Sequence, residues 1–239
     1  MLHKNREELL RFLAAAMAGR SCGLYLPRLT DARIELGSPS SQLRYPGGVF
    51  ADRDAKAAMQ VFGLVSSVVA PERVRIQDAH DLMDLPRFPG GFLFGSKSNP
   101  VMPLFETWFG RECTFHFEFD DDWTIVWEDS DRYSMPDPSR LGRDEYASQT
   151  DYGIVARLTS SKPRKAAFVL AGLGGRATEG CGIYLAKHWE RLFAKYGTCD
   201  FCVLLKFPPP INPTRSKVVR ETEIQAAHRS PRRRRASSA

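Results

Sequence analysis

No stretch of this sequence reaches the roughly 18 consecutive apolar residues that a bilayer-spanning helix needs, so no membrane partner is expected. Cysteine is scarce. Five in 239 residues, an odd number, argue against a disulfide framework and fit free thiols in a reducing, cytoplasmic setting. The one close pair, Cys199-x-x-Cys202, has no second pair to complete a zinc site. It stands at the start of a strand, not at the helix N-terminus that redox cysteines use, so both cysteines are expected to be buried structural residues. His80, His116 and His188 are scattered, with no H-x-x-x-H pair. Glu118, Asp120, Asp121, Asp122, Glu128, Asp129 and Asp131 cluster without the spacing of a calcium loop, and a solvated turn accounts for them, so no metal is expected. A G-x-S-x-G elbow is also missing, which weakens the case for a serine hydrolase. There is no internal repeat.

Excess charge is confined to one segment. The formal net charge is +6, from 34 Lys and Arg against 28 Asp and Glu, but Arg229 and Arg232 to Arg235 supply five of the positive charges within the last eleven residues. Without those five, the remainder carries +1. A nucleic-acid partner would therefore be held by this tail alone. What the chain has in quantity is core material: 43% apolar and 11% aromatic residues against 26% charged place it among globular proteins. Its length suits one α/β domain with appendages.

Residues 1–48 read as an N-terminal helix and an irregular arm. Leu9, Leu10, Leu13, Ala16 and Met17 repeat as on one helix face, while Glu7, Glu8 and Arg11 speak against a signal peptide. From Leu24 to Gly48 the chain is rich in Pro, Gly, Ser and Arg, with one strand candidate at Cys22 to Leu26. Residues 49–225 read as the α/β domain. Asp52 can cap a helix carrying Ala55, Ala58, Met59, Phe62, Val65 and Val69, and strands follow at Val74 to Gln77 and Gly91 to Gly95. Phe115, Phe117 and Phe119 alternate with polar residues before an acidic turn and Thr124 to Glu128, a hairpin pattern. Residues 129–150 read as a long irregular loop. Strands at Tyr152 to Leu158 and Ala166 to Ala171, a helix bearing Leu185, Trp189, Leu192, Phe193 and Tyr196, and strands at Phe201 to Phe207 and Lys217 to Ile224 complete the domain. Residues 226–239 form an Arg-rich tail expected to be disordered. The expected fold is α/β, a Rossmann-like open sheet, mostly parallel with antiparallel hairpin additions.

Two loops stand where an α/β sheet places its chemistry, each after a buried strand and before a helix. In the first, Gly95 permits close backbone approach, Ser96 and Ser98 offer hydroxyls, Lys97 a cation, and Asn99 with Pro100 suits the start of a helix. In the second, Gly172, Gly174 and Gly175 would let a ligand touch the backbone, Arg176 could meet a phosphate or carboxylate, and Thr178 could cap the helix while Glu179 faces the pocket. The spacing G-x-G-G-x-x-x-x-G is neither a dinucleotide fingerprint nor a P-loop, so no particular cofactor is implied. If the two strands are parallel neighbours, their loops share the crevice in which such sheets bind ligands.

In order along the chain, Gly91 to Pro100, Asp151-Tyr152-Gly153 and Ala171 to Tyr184 resemble a set of uncharacterised bacterial proteins. Those proteins have a Gly-rich Ser-Asn-Pro loop and a second Ala-Gly loop followed by a threonine, over roughly residues 50–221. The resemblance groups Ser98, Asn99, Asp151, Gly172 and Thr178 and implies no activity. The second loop is also faintly similar to the Gly-Gly-x-Gly-Thr-x-x-Glu element of nucleotide phosphoribohydrolases of the lysine-decarboxylase-like type, although Ala177 replaces a glycine and Glu179 comes two places early. The leading expectation is a binding or sensor domain for a small anionic, nucleotide-like ligand. One alternative is a hydrolase of a nucleotide-type glycosidic bond using Glu179 or Asp151; another is an interaction protein whose basic tail holds nucleic acid.

Overall fold

The computed structural model describes residues 2–18, 21–29, 33–35, 42–44, 49–83, 85, 88–100, 102, 114–159 and 165–224. In chain order the principal elements are α1 (Leu2–Leu13), β1 (Ser21–Leu26), α2 (Asp52–Ser66), β2 (Val74–Asp78), β3 (Gly91–Phe94), β4 (Phe115–Phe119), β5 (Asp122–Trp127) and β6 (Asp131–Pro136). They continue as α3 (Arg143–Ser148), β7 (Asp151–Thr159), β8 (Ala166–Gly172), α4 (Gly175–Tyr196), β9 (Asp200–Phe207) and β10 (Lys217–Ile224). Among the described residues no helix is long and apolar enough to cross a membrane.

The main sheet runs β2-β1-β3-β8-β7-β9-β10, with a two-residue strand, Met17–Ala18, folded back on β1. Its halves differ. The pairs β1/β2, β1/β3 and β3/β8 are parallel, whereas β8/β7, β7/β9 and β9/β10 are antiparallel. The sheet is therefore mixed, not mostly parallel as its rhythm suggests. Chain length between strands explains the difference: Thr159 pairs with Ala166, and the six residues between them are too few for the dozen or more that a parallel crossover takes. Helix α2 links the parallel pair β1 and β2, and α4 carries the chain from β8 past β7 to β9.

Alternation along the buried strands divides the core between two faces. Phe168 and Leu170 of β8 point to the helices, where Phe12, Leu13, Ala57, Val61, Val65 and Leu185 meet Phe92, Phe94 and Phe201. Phe12 lies edge-on to Phe168 at 5.2 Å, and Phe92 stacks on the same ring at 4.9 Å. Ala167, Val169 and Ala171 point the other way, against Phe115, Ile125, Trp127 and Met135 of a three-stranded antiparallel sheet, β4-β5-β6. One face thus carries helices and the other a small sheet. Each fully buried Phe contributes roughly 1.5–3 kcal/mol through removal of its ring from water.

Several expectations change on contact with this architecture. Helix α1 and strand β1, assigned by composition to an appended arm, share the helix-side core, with Phe12, Leu13 and Leu24 fully buried. The region 129–150 contains β6 and α3. Its first turn has Glu128 and Asp129 both in the left-handed region, at φ 49° and 59°, the backbone of a tight hairpin without its usual glycine. Helix α2 buries Asp54, Ala57, Ala58, Val61 and Val65, so its inner face is turned from the one expected and Met59 is 56% exposed. Cys202 is buried but Cys199 is exposed. The helix expected after Pro100 and the tail 226–239 lie outside the described residues.

Candidate functional site

Parallel pairing of β3 with β8 brings the two glycine loops to one sheet edge. Gly95 N donates to Leu170 O (3.2 Å) and Ser96 Oγ donates to Gly172 O (2.6 Å), tying loop to loop. Above this edge lies a pocket of about 530 Å³, within the size range of small-molecule sites. Its floor is Gly95 to Ser98, Gly172 to Gly175 and Thr178; one wall is Ala51 to Asp54 at the start of α2, and Trp123, Pro138 and Ser139 line it from the small-sheet side.

At the second loop the protein satisfies itself. Gly174 is the N-cap of α4 and has no side-chain cap of its own. The acceptor comes instead from β7: Asp151 Oδ1 takes hydrogen bonds from Gly174 N (3.1 Å) and Tyr152 N (2.8 Å), Asp151 also accepts from the Ala177 amide, and Tyr146 Oη donates to Oδ2 (2.8 Å). Tyr146 Oη in turn accepts from Arg176 N (3.2 Å). Asp151 is fully buried, and burial outweighs these bonds, pushing its pKa up to about 6. Gly174 is bare for this reason: an added Cβ would sit 2.6 Å from Asp151 Oδ2 and collide with the Tyr146 hydroxyl. The glycine makes room for protein. Thr178 lies within the first turn of α4, not at its cap, and its hydroxyl accepts from Gly172 N (3.0 Å).

At the first loop and α2 less is satisfied. Asn99 Nδ2 donates to Phe94 O (2.9 Å), closing the turn from below, and Lys97 Nζ sits 4.6 Å over the Trp123 ring. Gly95 has φ +80°, a conformation that a side chain disfavours. A Cβ there would lie 3.1 Å from Asp54 Oδ2 and 3.2 Å from Ser98 Oγ, so a carboxyl and a hydroxyl both approach the bare face of the glycine. Helix α2 begins after Ala51, which offers no capping side chain, and the amides of Asp52, Arg53 and Asp54 have no protein partner among the described residues. Asp54 is 4% exposed and has no hydrogen-bond or ionic partner among the described residues; burial pushes its pKa up to about 6. Asp52 is held by Lys56 (2.8 Å), which lowers its pKa, and Arg53 pairs with Glu179. The lining charges, Asp52 and Asp54 against Arg53 and Lys97, cancel.

Of the residues singled out in the sequence, Gly95, Ser96, Ser98, Gly172, Gly174, Gly175 and Thr178 line the pocket. Four do not. Asn99 supports the turn, Arg176 reaches away to Ile211 O (3.1 Å) across the Tyr146 ring, Glu179 is engaged by Arg53, and Asp151 is buried behind the second loop. Sequence reading missed the α2 wall, Asp54 above all, and Trp123. The signal for Asp54 was a charged residue three and four places before Ala57 and Ala58, on what becomes the buried stripe. Among the described residues no group of three or more His, Cys, Asp or Glu is arranged to hold a metal. Comparison with protein-family models, with curated proteins and with solved structures finds no match.

Proposed function

We propose that this chain is a small-ligand-binding α/β domain, and that the pocket at the ends of β3 and β8 takes a polar ligand with an anionic, nucleotide-like end. The observation that carries the reading is the convergence on one pocket of two tied glycine loops and the uncapped start of α2. Unpaired amides at a helix start favour negative charge, and Ser98 and Lys97 stand beside them. The parallel half of the sheet serves in the Rossmann-like manner, with the ligand outside the carboxyl ends of its strands. A hydrolase reading that uses Glu179 or Asp151 has less support, because both carboxylates already have protein partners.

The test is native mass spectrometry of the full chain purified from its own host, alongside Ser98→Asp, which sets a negative charge in the pocket at an exposed position. The wild type is expected to retain a small anionic molecule and the variant to lose it at an unchanged melting temperature. A wild type that carries none, and that is not stabilised by inorganic phosphate or by nucleoside monophosphates, would remove the reading.

A further inference from the structure

Asp54 is the one feature of the pocket that an anion alone does not explain. A carboxyl 4% exposed, with no protein donor among the described residues, sits against the wall where negative charge is to be bound. Burying an unpaired carboxyl is unfavourable unless something donates to it. Its neighbours define the donor. Arg53 and Lys97 line the same pocket and offset Asp52 and Asp54, so no net negative charge draws an ammonium group there, while Arg53 itself is turned to Glu179 and Lys97 to the Trp123 ring. A neutral hydroxyl needs no such charge. Ser98 Oγ and Asp54 Oδ2 both stand at the bare face of Gly95, 3.2 and 3.1 Å from where a Cβ would be, so a donor for an anion and an acceptor for a hydroxyl are neighbours there.

We infer that Asp54 accepts a hydrogen bond from a sugar hydroxyl, and that the ligand class is a phosphorylated sugar, free or as part of a nucleotide. This rests on the proposed pocket and adds a requirement to it. The phosphate sits at the α2 amides and Ser98, and the hydroxyl next to it bridges to Asp54, which keeps phosphate and carboxylate apart. Bare phosphate leaves that carboxylate unpaired and meets its charge directly.

The experiment is isothermal titration of the full chain with ribose 5-phosphate, inorganic phosphate and O-phosphoethanolamine, for the wild type and Asp54→Asn. Ribose 5-phosphate is expected to bind at least about tenfold tighter than inorganic phosphate, the scale of one hydrogen bond to a charged group. Asp54→Asn should cut that advantage severalfold, because a neutral amide oxygen accepts more weakly than a carboxylate, while leaving inorganic phosphate as tight or tighter, since it removes a negative charge. Ribose 5-phosphate no tighter than phosphate, an advantage undiminished in Asp54→Asn, or tighter binding of O-phosphoethanolamine would each overturn the role of Asp54 and leave the anion pocket standing. No binding of any of the three would remove the pocket reading and this inference together.

Discussion

Helices α2 and α4 start at the same pocket and handle their unpaired amides in opposite ways. At α4, a carboxylate and a tyrosine hydroxyl from neighbouring elements take up the Gly174, Arg176 and Ala177 amides. At α2, Ala51 caps nothing and the first three amides have no protein partner among the described residues. Each end also buries an aspartate whose pKa is pushed up to about 6, Asp151 at the first and Asp54 at the second. The equal pKa values conceal different situations. Asp151 is ringed by donors and holds the second loop in shape; Asp54 has none and faces the pocket. Where a fold satisfies its own buried polar groups it is building structure, and where it leaves them open it makes room for chemistry.

The largest test of that contrast is Asp151→Ala. It strands two backbone amides of the loop and helix, a third from Tyr152, and the Tyr146 hydroxyl. Loss of roughly 3–5 kcal/mol is expected in urea unfolding, as for removal of one member of a buried charged network. A loss under about 1 kcal/mol would mean that the second loop does not depend on this acceptor.

Asp54→Asn should move stability the other way. Burial raises the folded-state pKa from 3.8 to about 6, so the folded chain holds this proton more tightly than the unfolded chain does. The stability tied to Asp54 is therefore full below about pH 4 and is lost as the pH rises through about 6. Removing the charge should make the variant more stable than wild type at about pH 8, by on the order of 3 kcal/mol, and equal to it at about pH 4. Asp151 titrates over the same interval in both proteins, so their difference isolates Asp54. Equal stability at both pH values would show that Asp54 has a partner after all.

The smallest effect belongs to Thr178→Val, which keeps the shape but deprives the buried Gly172 amide of its acceptor. About 1–2 kcal/mol should be lost in thermal or urea unfolding. A neutral result would show that the second loop holds its form through Asp151 and Tyr146 alone.

The strands of the sheet were legible in the sequence, but the contrast between the two helix starts was not, and what escaped has a physical cause. Runs such as Ala166 to Ala171 and, within β9, Phe201 to Leu205 announce buried strands because no polar residue interrupts them, and both end up covered on two faces. Periodicity gives a helix its spacing and leaves its phase open. With alanines at positions 55, 57 and 58, the α2 stripe can be drawn along either of two adjacent faces, and the wrong choice turns Asp54 toward solvent. The strand β6 escaped notice because Glu128 and Asp129 adopt positive φ without glycine or asparagine to mark the turn. Glycines, finally, mark that a backbone is closely approached without saying by what: at Gly174 the approaching group is Asp151 with Tyr146.

The pocket walls come from residues 51–54, 95–98, 123, 138–139, 172–175 and 178, so its two outermost contributions lie more than a hundred positions apart in the chain. No single hairpin or helical segment contains it. A molecule that fills it has affinity only for the fully assembled chain, and its occupancy must raise the free energy of global unfolding in proportion to RT ln(1 + [L]/Kd). During synthesis the site comes into being late, after the second glycine loop has left the ribosome and β8 has docked beside β3.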